Sequence, residues 1–268
     1  MMKTVVITGS ARGFGFECLK IFRKNGYNIV VSDINKDTLK IAETELKKID
    51  GVGGVLAVAC DVTKYDDIVR LWEVSVGEFG RIDIFINNAG INQRDVAFFE
   101  LNAKEIDLLL DIDLKGAMIG SKIAFEKMRE QGFGQIYNVE GYGSNDAMML
   151  GLTLYGTSKR AVTYFTQALA KESQELTKGD VKIGRIAPGI MITNFITNAN
   201  GDKSKIVLDE KTKKIYNILA DYPATIANFV VNKIVRNTKN DIRINWLTNG
   251  RAFRKFLSYA FRKRNYFN

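Results

Sequence analysis

The segment Thr8-Gly9-Ser10-Ala11-Arg12-Gly13-Phe14-Gly15 lies between an apolar run at residues 3–8 and a helical pattern at 13–25. Glycine at the first position allows a tight turn, and the later two glycines let the backbone approach a phosphate. The first amides of the helix and its dipole favour an anion. The stretch therefore predicts a strand, a loop and a helix that together cradle a pyrophosphate.

The alternation of short apolar runs with helical patterns continues along the chain. The predicted strands after the first lie at residues 28–33, 55–60, 82–86, 135–139, 181–187 and 242–247. The predicted helices after the first lie at residues 36–49, 65–79, 103–130, 153–176, 222–235 and 251–262. Such a pattern predicts the α/β class, a doubly wound parallel sheet flanked by helices on both faces. No linker separates a second domain, so we expect one domain over residues 1–268.

The amino-acid composition excludes several classes of catalytic and metal-binding site. The 268 residues include no histidine, which excludes Ser-His-Asp and Cys-His catalysis and His-rich metal sites. Cys18 and Cys60 lack metal-ligand spacing and are expected to be reduced core residues of a cytoplasmic protein. A strand beginning at Lys3 leaves no room for a signal peptide, and no apolar run has the length of a membrane span. We therefore predict a cytoplasmic location and no metal.

The net charge of +9 lies in one segment. Residues 233–268 carry ten Lys/Arg and one acidic residue, whereas residues 1–232 carry 29 basic and 29 acidic residues. This distribution predicts a basic tail and no nucleic-acid-binding body. In the closing helix, Phe253, Phe256, Leu257, Ala260 and Phe261 share one face. Packing against the sheet edge or a neighbouring subunit is favoured over contact with a membrane surface.

Asp33, at the end of the second predicted strand, bears on the choice between NAD and NADP. Asp33 can accept hydrogen bonds from ribose hydroxyls and would repel a 2′-phosphate. The alternative is a turn or helix-capping residue. Arg12 has the opposite tendency, because a cation in the loop can pair with a 2′-phosphate. The balance predicts NAD, with NADP open.

A second motif supplies acid/base chemistry. Tyr155 and Lys159 are four residues apart in Tyr155-Gly156-Thr157-Ser158-Lys159, on one face of a predicted helix. A positive charge beside a phenol favours the phenolate and lowers the pKa of the tyrosine. Such a tyrosine donates a proton when a carbonyl is reduced and accepts one when an alcohol is oxidised.

These motifs together resemble the short-chain dehydrogenase/reductase family, whose fold is Rossmann-like. The resemblance extends from Thr4 to Thr193 and includes the glycine loop, Asp61-Val62, Asn87-Asn88-Ala89-Gly90, the Tyr155/Lys159 pair and Pro188-Gly189. It implies that Asp61 and Val62 touch adenine and that Asn88, Ala89 and Gly90 line the cofactor. It also implies that Ile190 and Thr193, after Pro188 and Gly189, hold the nicotinamide carboxamide.

Two positions depart from the family pattern. The family has a serine that polarises the substrate oxygen; Ser144 is the candidate here, with Tyr142 as the alternative and a simple turn residue as the other interpretation. The family also has an asparagine where this chain has Asp113. Aspartate keeps the acceptor oxygen, lacks the amide donor and adds a charge, so Asp113 is expected to be either neutral or paired with Lys159. The departure leaves the proton relay open but not the predicted fold.

The substrate side resembles the chlorophyll b reductase branch of the family. The likeness lies in the residues around Ser144, in Tyr216-Asn217-Ile218-Leu219-Ala220 and in Trp246-Leu247-Thr248. It implies a bulky, apolar, polycyclic substrate bound by residues 189–221, and the wider family analogy suggests a hydroxysteroid or bile acid. Reduction of a formyl group, as in chlorophyll b reductase, is one alternative. A non-catalytic cofactor-binding sensor is the alternative from another class. The resemblance also implies a homodimer or homotetramer.

Overall fold

A computed structural model describes residues 1–196, 198–199, 204–206, 208–259, 261 and 264–267. The strands are β1 (Thr4–Ile7), β2 (Asn28–Asp33), β3 (Val55–Ala59), β4 (Ile84–Asn87), β5 (Gly134–Val139), β6 (Val181–Ala187), β7 (Asn198–Ala199), β8 (Ser204–Lys205) and β9 (Ile242–Asn245). The α-helices are α1 (Gly13–Lys24), α2 (Lys36–Lys47), α3 (Tyr65–Phe79), α4 (Ala103–Leu110), α5 (Ala117–Gln131), α6 (Thr153–Thr177), α7 (Glu210–Leu219), α8 (Pro223–Val235) and α9 (Asn249–Tyr259).

Seven strands form one parallel sheet in the order β3-β2-β1-β4-β5-β6-β9, and β7 pairs with β8 in a separate antiparallel ribbon. The chain reverses its direction across the sheet between β1 and β4. The loops after these two strands therefore diverge and leave a crevice at their carboxyl ends. The predicted doubly wound, Rossmann-like parallel sheet is confirmed.

Each face of the sheet carries its own hydrophobic core, because successive strand residues point to opposite faces. In β1, Val5 and Ile7 pack with α1, α2 and α8, whereas Val6 packs with α3, α5 and α6. All three side chains are at most 1% exposed. Near-continuous apolar strands are thus explained by burial on both faces.

The predicted long helix within 103–130 is present, but its centre is not α-helical. The segment Asp111–Gly116 is π-helical and joins α4 to α5. A π-bulge inserts one residue into the helix and changes the direction in which its side chains point. In this case the π segment contains Asp113, which is buried.

The C-terminal boundaries also differ from prediction. The last helix begins at Asn249 rather than 251, and its predicted positions 260 and 262 lie outside the described residues. Lys263 of the basic tail and positions 197, 200–203 and 207 of the predicted substrate region lie outside them as well. None of the helices in the described part of the chain is long and apolar enough to cross a membrane.

Candidate active site

The glycine loop between β1 and α1 packs directly against the segment that follows β4. Gly9 has a φ of +58°, and a Cβ there would lie 2.7 Å from the Cα of Ala89. A Cβ at Gly15 would lie 2.7 Å from Nδ2 of Asn88. Both contacts are too short for a real Cβ, so the loop follows this path only because glycine occupies both positions.

Hydrogen bonds join the same two segments. Asn88 Nδ2 donates to the carbonyl oxygens of Thr8 and Gly9, each at 2.9 Å. The Thr8 hydroxyl accepts from the amides of Asn88 at 3.0 Å and Ala89 at 3.2 Å. These hydrogen bonds therefore fix the backbone that lines one side of the crevice. Asn87 braces the sheet separately, because its Nδ2 donates to Asn138 Oδ1 at 2.8 Å.

The N-terminus of α1 suits an anionic ligand. Arg12 precedes the helix with an extended backbone and makes no side-chain cap, and the first turn carries no acidic residue. The first amides and the helix dipole therefore favour a phosphate. Phe14 is buried in the core, and the Ser10 hydroxyl donates to the carbonyl of Ile7 at 2.6 Å. Of the predicted loop residues, these two offer their backbones to a cofactor.

Asp33 lies at the end of β2 beside this loop. One carboxylate oxygen accepts from the amide of Ala11 at 3.3 Å, and the other accepts from the amide of Asn35 at 3.2 Å. The cap of α2 is Asn35, whose side chain accepts from the amides of Asp37 and Thr38. Asp33 therefore does not cap α2, but its bond to the Asn35 amide closes a turn, as the other half of that alternative predicts. The carboxylate also ties the glycine loop to the strand where a ribose would bind.

The other predicted cofactor residues line the same carboxyl edge of the sheet. Asp61 accepts from the amide and hydroxyl of Thr63, and this turn places the buried Val62 against the π segment, where a Cβ at Gly116 would lie 3.0 Å from it. After β6, Gly189 has a φ of +73°, and the Thr193 hydroxyl accepts from the amide of Phe195 at 3.3 Å. Pro188 and Ile190 flank that glycine.

Tyr155 projects from the start of α6 toward the end of β5. A Cβ at Gly141 would lie 2.1 Å from the Tyr155 hydroxyl, so the phenol occupies the space that any side chain at 141 would need. The amide of Tyr155 donates to Gln93 Oε1 at 2.8 Å, and its ring lies 5.7 Å from the ring of Phe195. The phenol thus has a fixed position, with backbone on one side and an aromatic ring on another.

Lys159 lies one turn further along α6 and forms a buried ion pair. Its Nζ is 2.9 Å from Asp113 Oδ2, with side-chain exposures of 7% and 0%. The second oxygen of Asp113 accepts from the amide of Ile91 at 2.7 Å. Lys159 Nζ is also 5.5 Å from the centre of the Tyr155 ring. The structure therefore brings together three of the four predicted catalytic residues, next to Gly90, where a Cβ would lie 3.3 Å from Asp113.

The electrostatics differ from the sequence-based expectation. Burial raises the pKa of the Tyr155 phenol, and the charges of Asp113 and Tyr216 raise this pKa further. Burial also raises the pKa of the Asp113 carboxyl, against the opposing effects of Lys159 and the Ile91 amide. Burial is the largest cause of the raised pKa, and Asp113 pairs with the Lys159 ammonium. The lowering expected from Lys159 together with an oxidised nicotinamide ring stays a prediction for the cofactor-bound protein.

The predicted oxygen-polarising residues make other contacts. The Ser144 hydroxyl donates to the carbonyl of Gly141 at 2.6 Å, and the Tyr142 hydroxyl donates to the carbonyl of Met148 at 3.0 Å. Ser144 therefore closes a turn with its only hydroxyl proton, as its alternative interpretation predicts. It would polarise a substrate oxygen only after rotating away from this turn.

The surroundings of Tyr155 are apolar on the substrate side. A buried cluster around Tyr155 is formed by Leu101, Leu109 and Leu154, with partly buried side chains packed against it. Those side chains are Ile91, Val96, Ile106, Leu110, Leu152 and Phe195. These side chains form an apolar surface on one side of the Tyr155 ring.

Asp221 was missed by the sequence analysis. This buried carboxylate accepts from the Trp246 indole at 2.7 Å and pairs with Lys255 at 2.7 Å and Arg264 at 3.3 Å. Its amide donates to the carbonyl of Ile190 at 3.1 Å. Part of the predicted basic tail is therefore directed into the fold, where it holds the segment after β6. No local motif marks such a residue, because its partners come from distant parts of the chain.

Gln93 was missed for the same reason. Its side chain is 1% exposed, accepts from Tyr155 and donates to the carbonyl of Gly151. Among the described residues, no cluster of three or more His, Cys, Asp or Glu side chains could hold a metal ion.

The chain belongs to the short-chain dehydrogenase/reductase family, whose sequence model, described as short chain dehydrogenase, matches residues 3–204. The protein is thus an oxidoreductase of this family. It is 33% identical to an uncharacterized oxidoreductase of Mycobacterium bovis over 85% of this chain and 88% of that protein. The resemblance to the family and its Rossmann-like fold is confirmed.

Two further similarities bear on fold and branch. The chain is 27% identical to a probable chloroplastic chlorophyll(ide) b reductase of Arabidopsis thaliana over 99% of its own length, and it spans about half (55%) of that relative. A crystal structure of 3-ketoacyl-(acyl-carrier-protein) reductase from Brucella melitensis, complexed with NADH, superposes with a TM-score of 0.79 and 22% identity. That match covers 93% of this chain and 98% of the other, and it shows the shared fold.

Proposed function

We propose that the protein interconverts an alcohol and a ketone or aldehyde with a nicotinamide cofactor, using Tyr155 as the proton donor and acceptor. The position of the Tyr155 phenol, beside Gly141 and one turn from Lys159, carries this proposal. The substrate that we propose is bulky and apolar, a polycycle such as a hydroxysteroid or bile acid. The apolar cluster around Tyr155 supports that choice.

The residues at the crevice fit a dinucleotide. The backbone cradle at Gly9 and Gly15 admits no side chain, and the first turn of α1 offers amides without an acidic residue. Asp33 would bind the adenosine ribose, which supports NAD as the preferred cofactor over NADP. Asp61, Val62 and Asn88-Ala89-Gly90 would hold the adenine side and the middle of the cofactor.

The chemistry divides between cofactor and protein. A bound nicotinamide supplies a hydride to the substrate carbon or accepts one from it. In reduction, the Tyr155 hydroxyl gives its proton to the substrate oxygen; in oxidation, the phenolate takes the proton back. Lys159 would hold the nicotinamide ribose, and the apolar cluster keeps water away from the reacting atoms.

A second candidate substrate chemistry is reduction of a formyl group on a tetrapyrrole. The similarity to a probable chlorophyll(ide) b reductase favours it. The same Tyr155 proton transfer would serve, because a formyl carbonyl is reduced to an alcohol by the same hydride and proton. A cofactor-binding sensor without catalysis is the alternative from a different functional class.

The test compares Tyr155→Phe with Tyr164→Phe, a matched control on the same helix whose side chain is 75% exposed. Both variants are assayed with NAD and NADP against hydroxysteroids, bile acids, secondary alcohols and a formyl tetrapyrrole. We expect Tyr155→Phe to lose turnover by about 10²–10⁴-fold while it still binds cofactor, and the control to keep both. Equal turnover in the two variants would overturn the assignment of Tyr155. Cofactor binding without turnover in the parent protein would favour the sensor.

We propose a homodimer or homotetramer, a cytoplasmic location and no nucleic-acid partner, as the family resemblance and charge distribution suggest. A weak membrane-surface contact through residues 248–268 is a further candidate. The exposed Phe253, Phe256 and Leu257 on α9 support it. The inward pairing of Lys255 and Arg264 with Asp221 reduces the positive charge available for lipid headgroups.

A further inference from the structure

The buried ion pair between Asp113 and Lys159 has a consequence for the direction of the reaction. The two groups are 2.9 Å apart and almost fully enclosed, so solvent screens them little. The π segment carries Asp113 to this point, and the amide of Ile91 holds its other oxygen at 2.7 Å. Asp113 is therefore fixed from two sides and faces the ammonium directly.

The ion pair changes the net charge near the Tyr155 phenol. An isolated Lys159 ammonium, 5.5 Å from the phenol ring, would favour the phenolate. With Asp113 beside it, the positive charge is balanced, and the carboxylate itself acts on Tyr155. The pKa of Tyr155 is accordingly raised, first by burial and then by Asp113.

Resting on the function proposed above, we propose that Asp113 is a positioning residue that keeps the Tyr155 phenol protonated at neutral pH by pairing with Lys159. The resting site is thereby prepared to reduce a carbonyl, because the protonated phenol is the form that donates. Asp113 does not change the equilibrium of the reaction. It changes the pH range over which each form of Tyr155 is populated.

The proton balance of the reaction determines in which direction a higher Tyr155 pKa shifts the pH dependence of reduction and of oxidation. In reduction, the reduced cofactor gives a hydride to the carbonyl carbon, Tyr155 gives a proton to the oxygen, and an alcohol and the oxidised cofactor result. Solvent then restores the proton to Tyr155. In oxidation, each transfer reverses and the phenolate must be present first. A higher pKa therefore extends reduction to higher pH and delays oxidation to more alkaline pH.

Few other groups titrate near this phenol. Among the described residues, the groups whose charges shift the pKa of Tyr155 are Asp113 from the π segment and Tyr216 from α7. Lys159, on the same helix, has its Nζ 5.5 Å from the centre of the Tyr155 ring. Asp95 acts on Tyr216, whose own pKa is raised mainly by burial. Because the chain has no histidine, no imidazole titration overlaps the profile between about pH 5 and 8.

The experiment uses Asp113→Asn, which keeps an acceptor oxygen for the Ile91 amide and removes the charge. Its matched control is Asp111→Asn, which removes one charge from the same π segment at an exposed pair with Lys115. The pH dependence of kcat/KM is measured in both directions. We expect Asp113→Asn to move both profiles to lower pH by about 1–2 pH units, and Asp111→Asn to leave them unchanged.

A second readout does not depend on turnover. The ultraviolet absorbance of tyrosinate is titrated in the full-length protein, with and without oxidised cofactor, and the difference from Tyr155→Phe isolates Tyr155. We expect the parent Tyr155 to titrate above about pH 10 without cofactor, and lower in Asp113→Asn. A parent phenol that titrates below this value would overturn the proposal even if Asp113→Asn failed to fold. Equal shifts in both aspartate variants would also overturn it.

The two proposals fail differently. If Tyr155→Phe keeps full turnover, the proposed function fails, whereas the absorbance titration still measures the effect of Asp113 on the phenol. If turnover depends on Tyr155 but Asp113→Asn shifts neither the kinetic profile nor the titration, only the role of Asp113 fails.

Discussion

The cofactor side and the substrate side of the crevice are built by different means. On the side proposed for the cofactor, the contacts are made to the backbone of the glycine loop: Gly9 packs against Ala89, and the Asn88 side chain donates to the carbonyls of Thr8 and Gly9. On the side proposed for the substrate, charged and polar side chains from distant segments meet, as when Asp221 pairs with Lys255 and accepts from the Trp246 indole. Close contacts to the backbone can be predicted from the sequence, because only glycine permits them. The side-chain contacts between distant segments cannot be predicted in this way.

The largest expected effect is on the cofactor side, from Gly15→Ala. The added Cβ would lie 2.7 Å from Asn88 Nδ2 and 2.9 Å from the Ser10 Cβ, so the loop must shift. We expect cofactor affinity, measured by calorimetry, to fall by about 100-fold, and the free energy of unfolding to fall by about 1–3 kcal/mol.

Gly77→Ala is the matched control for that substitution. A Cβ at Gly77, in the last turn of α3, meets nothing within 4 Å. We expect it to leave cofactor affinity unchanged and to raise the free energy of unfolding by about 1 kcal/mol, because alanine is the better helix former. Equal effects of the two substitutions would contradict the close-packing explanation.

An intermediate effect is expected on the substrate side, from Asp221→Asn. The substitution leaves the largely buried Lys255 ammonium, and the more exposed Arg264, without their carboxylate. We expect the free energy of unfolding, from urea denaturation, to fall by about 1–3 kcal/mol, together with a higher KM for substrate. Glu210→Gln, at a surface pair with Lys213, should change stability by less than about 1 kcal/mol. If only cofactor binding were weakened, the assignment of Asp221 to the substrate side of the crevice would be contradicted.

The smallest expected effect is a change of cofactor preference, from Asp33→Ser. Serine keeps a hydroxyl near the ribose but removes the charge that repels a 2′-phosphate. We expect the ratio of kcat/KM for NADP to that for NAD to rise by about tenfold, which corresponds to about 1.4 kcal/mol. Asp37→Ser, which removes an exposed acid from the first turn of α2, is the control. An unchanged ratio would mean that Arg12 or another group sets the preference.

Sequence-based prediction agreed with the structure where a feature depends on residues close together in the chain, and failed where it depends on distant segments. The parallel sheet, its glycine loop and the Tyr155/Lys159 pair were predictable, since periodic burial and helical spacing are local properties. The π segment was not, because a single inserted residue leaves the apolar pattern almost unchanged. Ser144 shows the other difficulty: its position suggested a role in polarising the substrate oxygen, but its hydroxyl closes a turn to Gly141.

By itself, the sequence determined the order of strands and helices, the glycine loop between β1 and α1 and the Tyr155/Lys159 pair on one helix, because each depends on residues close together in the chain. Only the tertiary structure decided that Asp113 neutralises Lys159 at 2.9 Å and that Gly141 faces the Tyr155 hydroxyl. It also turned basic residues of the C-terminal segment inward to Asp221. Burial and charge pairing depend on which distant segments meet, and these in turn set the protonation of Tyr155.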